Sequence, residues 1–187
     1  MPNNSTRGER YSTRSEGGAP AGVTLDEFPD RLSLEPERSR RLFRKLTAGV
    51  SVVSALGAAG PVGLTVSAVT SVSLRPPLLL VCLAAQSTTL RAIERNRSFA
   101  VQLLTEDQRA VAEDFASPTG RRFAGHDHRY IAGVPVLDRA LAWSVCLLSD
   151  ARRYGDHVVV IGEIVAAHTG SGRPLVWHGQ RFGNLSA

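Results

Sequence analysis

Residues 63–77 read GLTVSAVTSVSLRPP and run directly into LLLVCLA at 78–84. The second stretch has the look of an ordinary buried strand. The first is harder to place. Thr65, Val66, Val69, Thr70 and Val72 are β-branched and favour extended backbone. Yet Thr65, Ser67, Thr70, Ser71 and Ser73 put five hydroxyls into the same fifteen residues. Three readings fit: an edge strand with a wet face, a Ser/Thr-rich loop, or a strand whose hydroxyls and amides hold a polar planar ligand.

Working outward, VSVVSAL (50–56) reads as the strand before it, joined through the hairpin loop GAAGPVG (57–63). That loop has neither GxGxxG nor GxxxxGK[ST], and a strand rather than a helix follows it, so Rossmann and P-loop readings fail. Upstream, LEPERSRRLFRKLTAG (34–49) predicts a helix of about three turns. Its signals are Pro36 in the first turn, apolar Leu42, Phe43 and Leu46, and Gly49 as a stop.

Downstream, QSTT (86–89) opens a short helix ending near Asn96, with Ser87 or Thr88 as its cap. The first amides of such a helix lack intrahelical partners and its dipole favours negative charge. Ser87, Thr88 and Thr89 are therefore either a plain cap or a phosphate seat. SFAVQLL (98–104) is the next strand, and Thr105 with Gln108 forms a capping box for a helix over 106–116. Residues 117–138 read as a long loop, and ALAWSVCLLSDARRYG, HVVVIGEIVAAHTG and PLVWHGQRF as three final strands. Six or so strands, adjacent in sequence, with two or three short helices favour an antiparallel β-barrel over a parallel α/β sheet.

Composition narrows the classes. The 187 residues suit one domain, expected at 33–187 behind a disordered tail at 1–32 rich in Ser, Gly, Arg and Asn. No apolar run approaches the ~18 residues of a membrane span, and the N-terminus lacks the apolar core of a secretory signal. The expected location is the cytoplasm, without a membrane partner. The net charge of +5 invites a nucleic-acid partner, but the basic residues are scattered except at Arg38, Arg40, Arg41, Arg44 and Lys45. No nucleic-acid role is expected, though a positive surface draws anionic nucleotides.

Cys82 and Cys146 sit in apolar runs and read as buried inert thiols, with a ligand contact by Cys82 as the alternative. His126 and His128 read as a solvated loop rather than a metal pair, and no metal is expected. His168 reads as a turn residue, and His178 as either surface or site. His157 opens a strand behind the turn Gly155–Asp156, as a site residue or a turn histidine. No nucleophile motif of the GxSxG kind is present.

The elements TAGVSVVSA, GLTVSAVTSVSLRPPLLLVCLAAQSTT, FAVQLL, RRFAG, GVPVL, YGDHVVVIGEI and PLVWHGQRF stand in one order. From about residue 38 onward the chain resembles the short-chain flavin reductase family, the reductase components of two-component flavin-dependent monooxygenases. The resemblance implies a mainly β, α+β fold: an antiparallel six-stranded split β-barrel. It implies FMN or FAD, and NADH or NADPH, as cofactors, with hydride passing between rings stacked at roughly 3–3.5 Å. It also implies a homodimer and a separate monooxygenase partner.

Residue by residue, Thr65, Val66, Ser67 and Ala68 are implied near the flavin ring, and Ser71, Val72 and Ser73 toward the ribityl and phosphate. Ser87 and Thr89, with Gln86 and Thr88 beside them, match the phosphate seat, and Arg122 and Phe123 a pair beside the flavin. His157, carried by Gly155 and Asp156, matches the nicotinamide position. Arg75, where an acid is common before the prolines, Val69, where an aromatic is frequent, and Trp177 and Phe182, where Tyr is usual, depart from the pattern. A non-catalytic flavin-holding module on the same barrel is the rival reading.

Overall fold

The computed structural model describes residues 35–185. The tail expected at 1–32 lies outside the described residues. Elements run in the order α1 (Pro36–Phe43), β1 (Ala48–Gly49), β2 (Ser51–Gly57), β3 (Gly60–Val66), β4 (Val69–Leu74), β5 (Pro77–Ala84), α2 (Thr88–Asn96) and β6 (Ser98–Leu103). There follow α3 (Arg109–Ala116), β7 (His128–Ile131), β8 (Val134–Leu137), β9 (Ala142–Tyr154), β10 (His157–Thr169), β11 (Val176–His178) and β12 (Arg181–Gly183). Among the described residues no helix is long and apolar enough to cross a membrane.

The hydroxyl-rich stretch is not one strand. It breaks at Ser67–Ala68 into β3 and β4, which occupy the two outer positions of a seven-stranded antiparallel sheet ordered β3-β2-β6-β9-β10-β5-β4. A continuous chain segment thus leaves one edge and enters the other, and the sheet curls on itself as a split barrel. Counting that segment once returns the six strands of the expectation.

Alternation along each strand builds two cores. Val53 and Ala55 of β2 face the barrel interior with Val81, Leu83, Phe99, Val101 and Val160, and Leu90 and Ile93 of α2 pack into the same cluster. Val50 and Val52 point the other way, to Leu104, Ala112, Phe115, Phe123 and Leu175. β2 is therefore buried on both faces, which is why VSVVSAL carries no charge. Each such side chain contributes roughly 1.5–3 kcal/mol by burial. Phe115 and Phe123 meet edge to face at 4.9 Å, adding about 0.5–1.5 kcal/mol.

Four expectations on local structure change. α1 is eight residues long and buries none of them, and Phe43 at its end and Leu46 beyond it are 61% and 66% exposed. Its apolar residues do not face the core. The loop at 117–138 contains the hairpin β7–β8, whose turn at Ala132–Gly133 has positive φ at both residues (48° and 78°). That is the primed-turn geometry, made without the Asn-Gly or Asp-Gly signature that announces it in a sequence. β8 is wholly buried, held by Gln102, which donates from Nε2 to the Val52 carbonyl at 3.1 Å and accepts from the Leu137 amide at 3.3 Å. PLVWHGQRF is likewise two short strands about Gly179–Gln180, paired with β1 in a separate three-stranded sheet. Finally His168 lies within β10, stacked on Trp143 at 5.9 Å, rather than in a turn.

Candidate functional site

Two long strands, β9 and β10, end in a two-residue turn. Tyr154 pairs with His157, and Gly155 between them takes φ +62°. A single positive φ at the first central residue is the type II′ pattern, which glycine fills without steric cost. The turn is fastened to the next strand, because the Ala85 amide donates to the Asp156 carbonyl at 2.9 Å and His157 pairs in register with Ala84. His157 Nδ1 donates to Asp156 Oδ1 at 2.8 Å, since a carboxylate can only accept, and Nε2, on the other side of the ring, takes no part in that bond. That hydrogen bond and the histidine's charge hold the Asp156 carboxyl below the usual carboxylate range. The imidazole side chain is 50% exposed and open to a ligand.

One step along the chain, β5 hands over to α2. Ser87 is the cap: its Oγ accepts from the amides of Thr89 at 3.1 Å and Leu90 at 3.3 Å. The plain-cap reading of Ser87 therefore holds, and it leaves the serine O–H free to donate to an anion. No acidic residue stands in the first turn of α2 to oppose one. Gln86 and Thr88 are exposed, whereas Thr89 is only 1% exposed. Arg91, which sequence reasoning passed over, donates from Nη1 to the Gln86 carbonyl at 3.1 Å and brings a cation to this corner. Its signal was present as a basic residue four positions after the cap, on the same helix face.

The third element is the kink between β3 and β4. The Cys82 amide donates to the Ala68 carbonyl at 3.0 Å, which sets the kink about 7 Å along β5 from Ala84. Ser67 and Ala68 are exposed there. Cys82 itself is half-buried rather than buried, on the face of β5 opposite Leu79, Val81 and Leu83. Thr65 turns its hydroxyl inward to the Ala112 carbonyl at 2.6 Å, and with Ser67, Trp177 and Phe182 lines a pocket of about 150 Å³. Val66 is buried in the barrel core.

The remaining expected residues stand elsewhere. Ser71 and Ser73 are opposite Leu79 and Leu78 near the far end of β5, lining a cavity of about 440 Å³ with Trp143 and Ile164. Five residues of strand, on the order of 17 Å, separate Leu79 from Ala84. The structure does not bring these two hydroxyls to Ser87. Val72 is exposed on the same edge strand. Phe123 is buried against Phe115 and His128, in the second core on which Trp177 and Phe182 pack. Arg122, at φ +46°, donates from Nη2 to the Ser117 carbonyl at 3.1 Å, and its Nε is buried without a partner. His126 is not simply solvated, as it pairs with Asp114 at 2.8 Å. Among the described residues no group of three or more His, Cys, Asp or Glu side chains gathers to hold a metal.

Residues 43–186 match the family described as the flavin reductase like domain. A "Probable flavin reductase" of Rhizobium meliloti (strain 1021) is 42% identical over 134 residues, 71% of this chain and 43% of that protein, so the chain spans less than half of that relative. The reductase component of a 4-nitrophenol 4-monooxygenase/4-nitrocatechol 2-monooxygenase from Rhodococcus opacus is 36% identical over 152 residues, covering 81% of this chain and 82% of that protein. Among solved structures, the NADH:FAD oxidoreductase SgcE6 of Streptomyces globisporus C-1027, in complex with NAD and FAD fragments, superposes with a TM-score of 0.76 at 29% identity, over 81% of this chain and 93% of that one. The chain belongs to the flavin reductase-like family.

Proposed function

We propose that this chain is an NAD(P)H:flavin oxidoreductase that reduces FMN or FAD and supplies the reduced flavin to a separate monooxygenase in the cytoplasm. One observation carries the reading: the end of β5 gathers the His157 turn, the start of α2 and the Ser67–Ala68 kink through the Ala85–Asp156 and Cys82–Ala68 hydrogen bonds. The residues there fit a flavin nucleotide. Ser87 O–H, exposed Thr88 and Arg91 suit its phosphate, and the helix dipole adds to them. Thr89, shut from solvent, packs beneath that seat rather than forming it.

The kink offers backbone groups and the Ser67 hydroxyl to the polar edge of a ring system. When bound, the flavin accepts hydride from the nicotinamide, a transfer that asks for positioning rather than a nucleophile. Asp156 fixes the imidazole of His157, which presents Nε2 at the open side of the corner and there orients the nicotinamide carboxamide. The Rhodococcus opacus relative's name as a monooxygenase reductase component supports the destination of the product.

We also propose a homodimer. Edge strand β4 carries Val72 and Leu74, the latter 90% exposed, and Leu103 lines the same cavity as Leu74. Such a face calls for a partner. Sedimentation equilibrium of the full chain tests it, and a monomer at micromolar concentration refutes it.

The enzymatic reading is tested by following NADH and NADPH oxidation by purified protein with FMN, FAD or riboflavin. Multiple turnovers dependent on added flavin are expected. Tight flavin binding without nicotinamide oxidation would establish the rival, a flavin-holding module.

A further inference from the structure

A second pocket, of about 430 Å³, adjoins the kink, and its walls include α1, the β11–β12 hairpin and Ser67–Ala68. Its volume lies within the range of ligand sites (~300–1,000 Å³). The walls are fixed to one another. The Gly179 amide donates to the Arg44 carbonyl at 3.1 Å, Thr47 Oγ1 and His178 Nδ1 share a hydrogen bond at 2.8 Å, and Ala48 pairs with Trp177.

The lining is chemically specific. Arg40 and Arg44 bring two guanidinium groups, Trp177 and Phe43 two aromatic rings, and Gln180 an amide with both donor and acceptor. Among the described residues the salt bridges of both arginines are to Glu37, at 3.5 and 3.7 Å, from exposed positions, so these pairs are weak and an anionic ligand can displace them. α1 buries none of its residues, and Phe43 is more than half exposed beside the two charges.

From this lining we infer that the pocket holds the adenosine diphosphate half of a dinucleotide, a reading that rests on the flavin site proposed at the kink. Two guanidinium forks match the two phosphates of a diphosphate, and a flat aromatic wall matches a purine face. A lone phosphate would need neither the second arginine nor the rings. The same chemistry occurs in FAD and in the nicotinamide dinucleotides. FMN and riboflavin lack it.

The test is calorimetric titration of the full chain with ADP alone, then with FAD, FMN and riboflavin, and the KM for NADH. It compares the wild type with the double variant Arg40→Gln/Arg44→Gln and with Arg139→Gln, a charge loss remote from the pocket. Loss of one charge-assisted hydrogen bond weakens affinity by about ten-fold or more. The expected result is ADP binding to the wild type and to Arg139→Gln, weakened at least ten-fold in the double variant. If FAD weakens in parallel while FMN does not, the pocket takes the flavin's adenylate. If FAD and FMN are alike and the NADH KM rises, it takes the nicotinamide dinucleotide's. ADP that fails to bind, or binds the double variant as tightly as the wild type, overturns the inference. A wild type that binds ADP but no flavin would leave this pocket standing and overturn the flavin reading instead.

Discussion

The Ala85 amide donates to the Asp156 carbonyl at 2.9 Å. Two residues after Ala85 stands the cap of α2, and one residue after Asp156 stands His157. A single backbone bond therefore ties the nicotinamide side of the proposed site to its phosphate side, though seventy-one positions (156 − 85) part them in the chain.

His157→Ala should raise the KM for NADH or lower kcat while leaving flavin affinity nearly intact. His157→Asn retains a polar group bonded to the turn and should recover part of the loss. Steady-state kinetics and flavin titration on the two variants check this. Equal loss of flavin affinity and nicotinamide kinetics in His157→Ala would refute the separation of roles.

Ser87 caps α2, and substitutions can pull that role apart from the phosphate contact proposed for it. Ser87→Ala removes the cap of α2, and should lower stability by about 1 kcal/mol together with a roughly ten-fold loss of FMN affinity. Ser87→Asp restores a good cap but sets a carboxylate where the phosphate is to lie. Its melting temperature should return toward the wild type while FMN binding falls further and riboflavin binding is largely kept. FMN binding that tracks helix stability across both variants would make Ser87 a cap and nothing more.

What the sequence made legible follows from how local each feature is. The Ser87 cap, the Gly155 turn and the alternation of β2 and β5 are set by neighbours within a few residues, and the chain states them openly. The break at Ser67–Ala68 is not local, since the segments on its two sides pair with different strands, β3 with β2 and β4 with β5. Reading Ser71 and Ser73 beside Ser67 treated five hydroxyls as one row, whereas the break and the irregular pairing between Ser71 and Ser73 send them along the far edge. The pocket at Arg40 and Arg44 needs α1, the kink and the C-terminal hairpin at once. Its basic run was visible, but nothing near it in sequence says what it faces.

Burial raises the Cys146 thiol to about 11, with the hydrogen bond to Ser144 opposing only in part. An unfolded thiol titrates near 8.5. Between these values the unfolded chain loses a proton that the folded chain keeps, so stability should fall as pH rises through that window, by roughly 3 kcal/mol from this group if the window is crossed fully. Urea midpoints at pH 8 and pH 10, for wild type and Cys146→Ala, check the sign. The variant should be less stable at pH 8 and lose less between the two. An equal loss in both would assign the dependence elsewhere.

Gly162 stands where β10 irregularly pairs with β9. A Cβ there would lie 2.5 Å from Phe99 Cζ and 2.8 Å from Cys146 Cβ, both fully buried. Gly162→Ala should therefore cost roughly 1–3 kcal/mol in denaturant unfolding, as overpacking without room to relax. An unchanged midpoint would mean that Phe99 can move.

The central claim is that one corner of this barrel binds flavin and nicotinamide together and passes hydride between them. Anaerobic mixing of NADH with FMN or FAD tests it most directly, with loss of the nicotinamide band and bleaching of the visible flavin band followed together. The account predicts that catalytic amounts of protein make the two changes run mole for mole, unaffected by a chelator, and that His157→Ala slows them. Nicotinamide oxidation without flavin bleaching, no acceleration over the uncatalysed mixture, or activity abolished by the chelator and restored by zinc would contradict it.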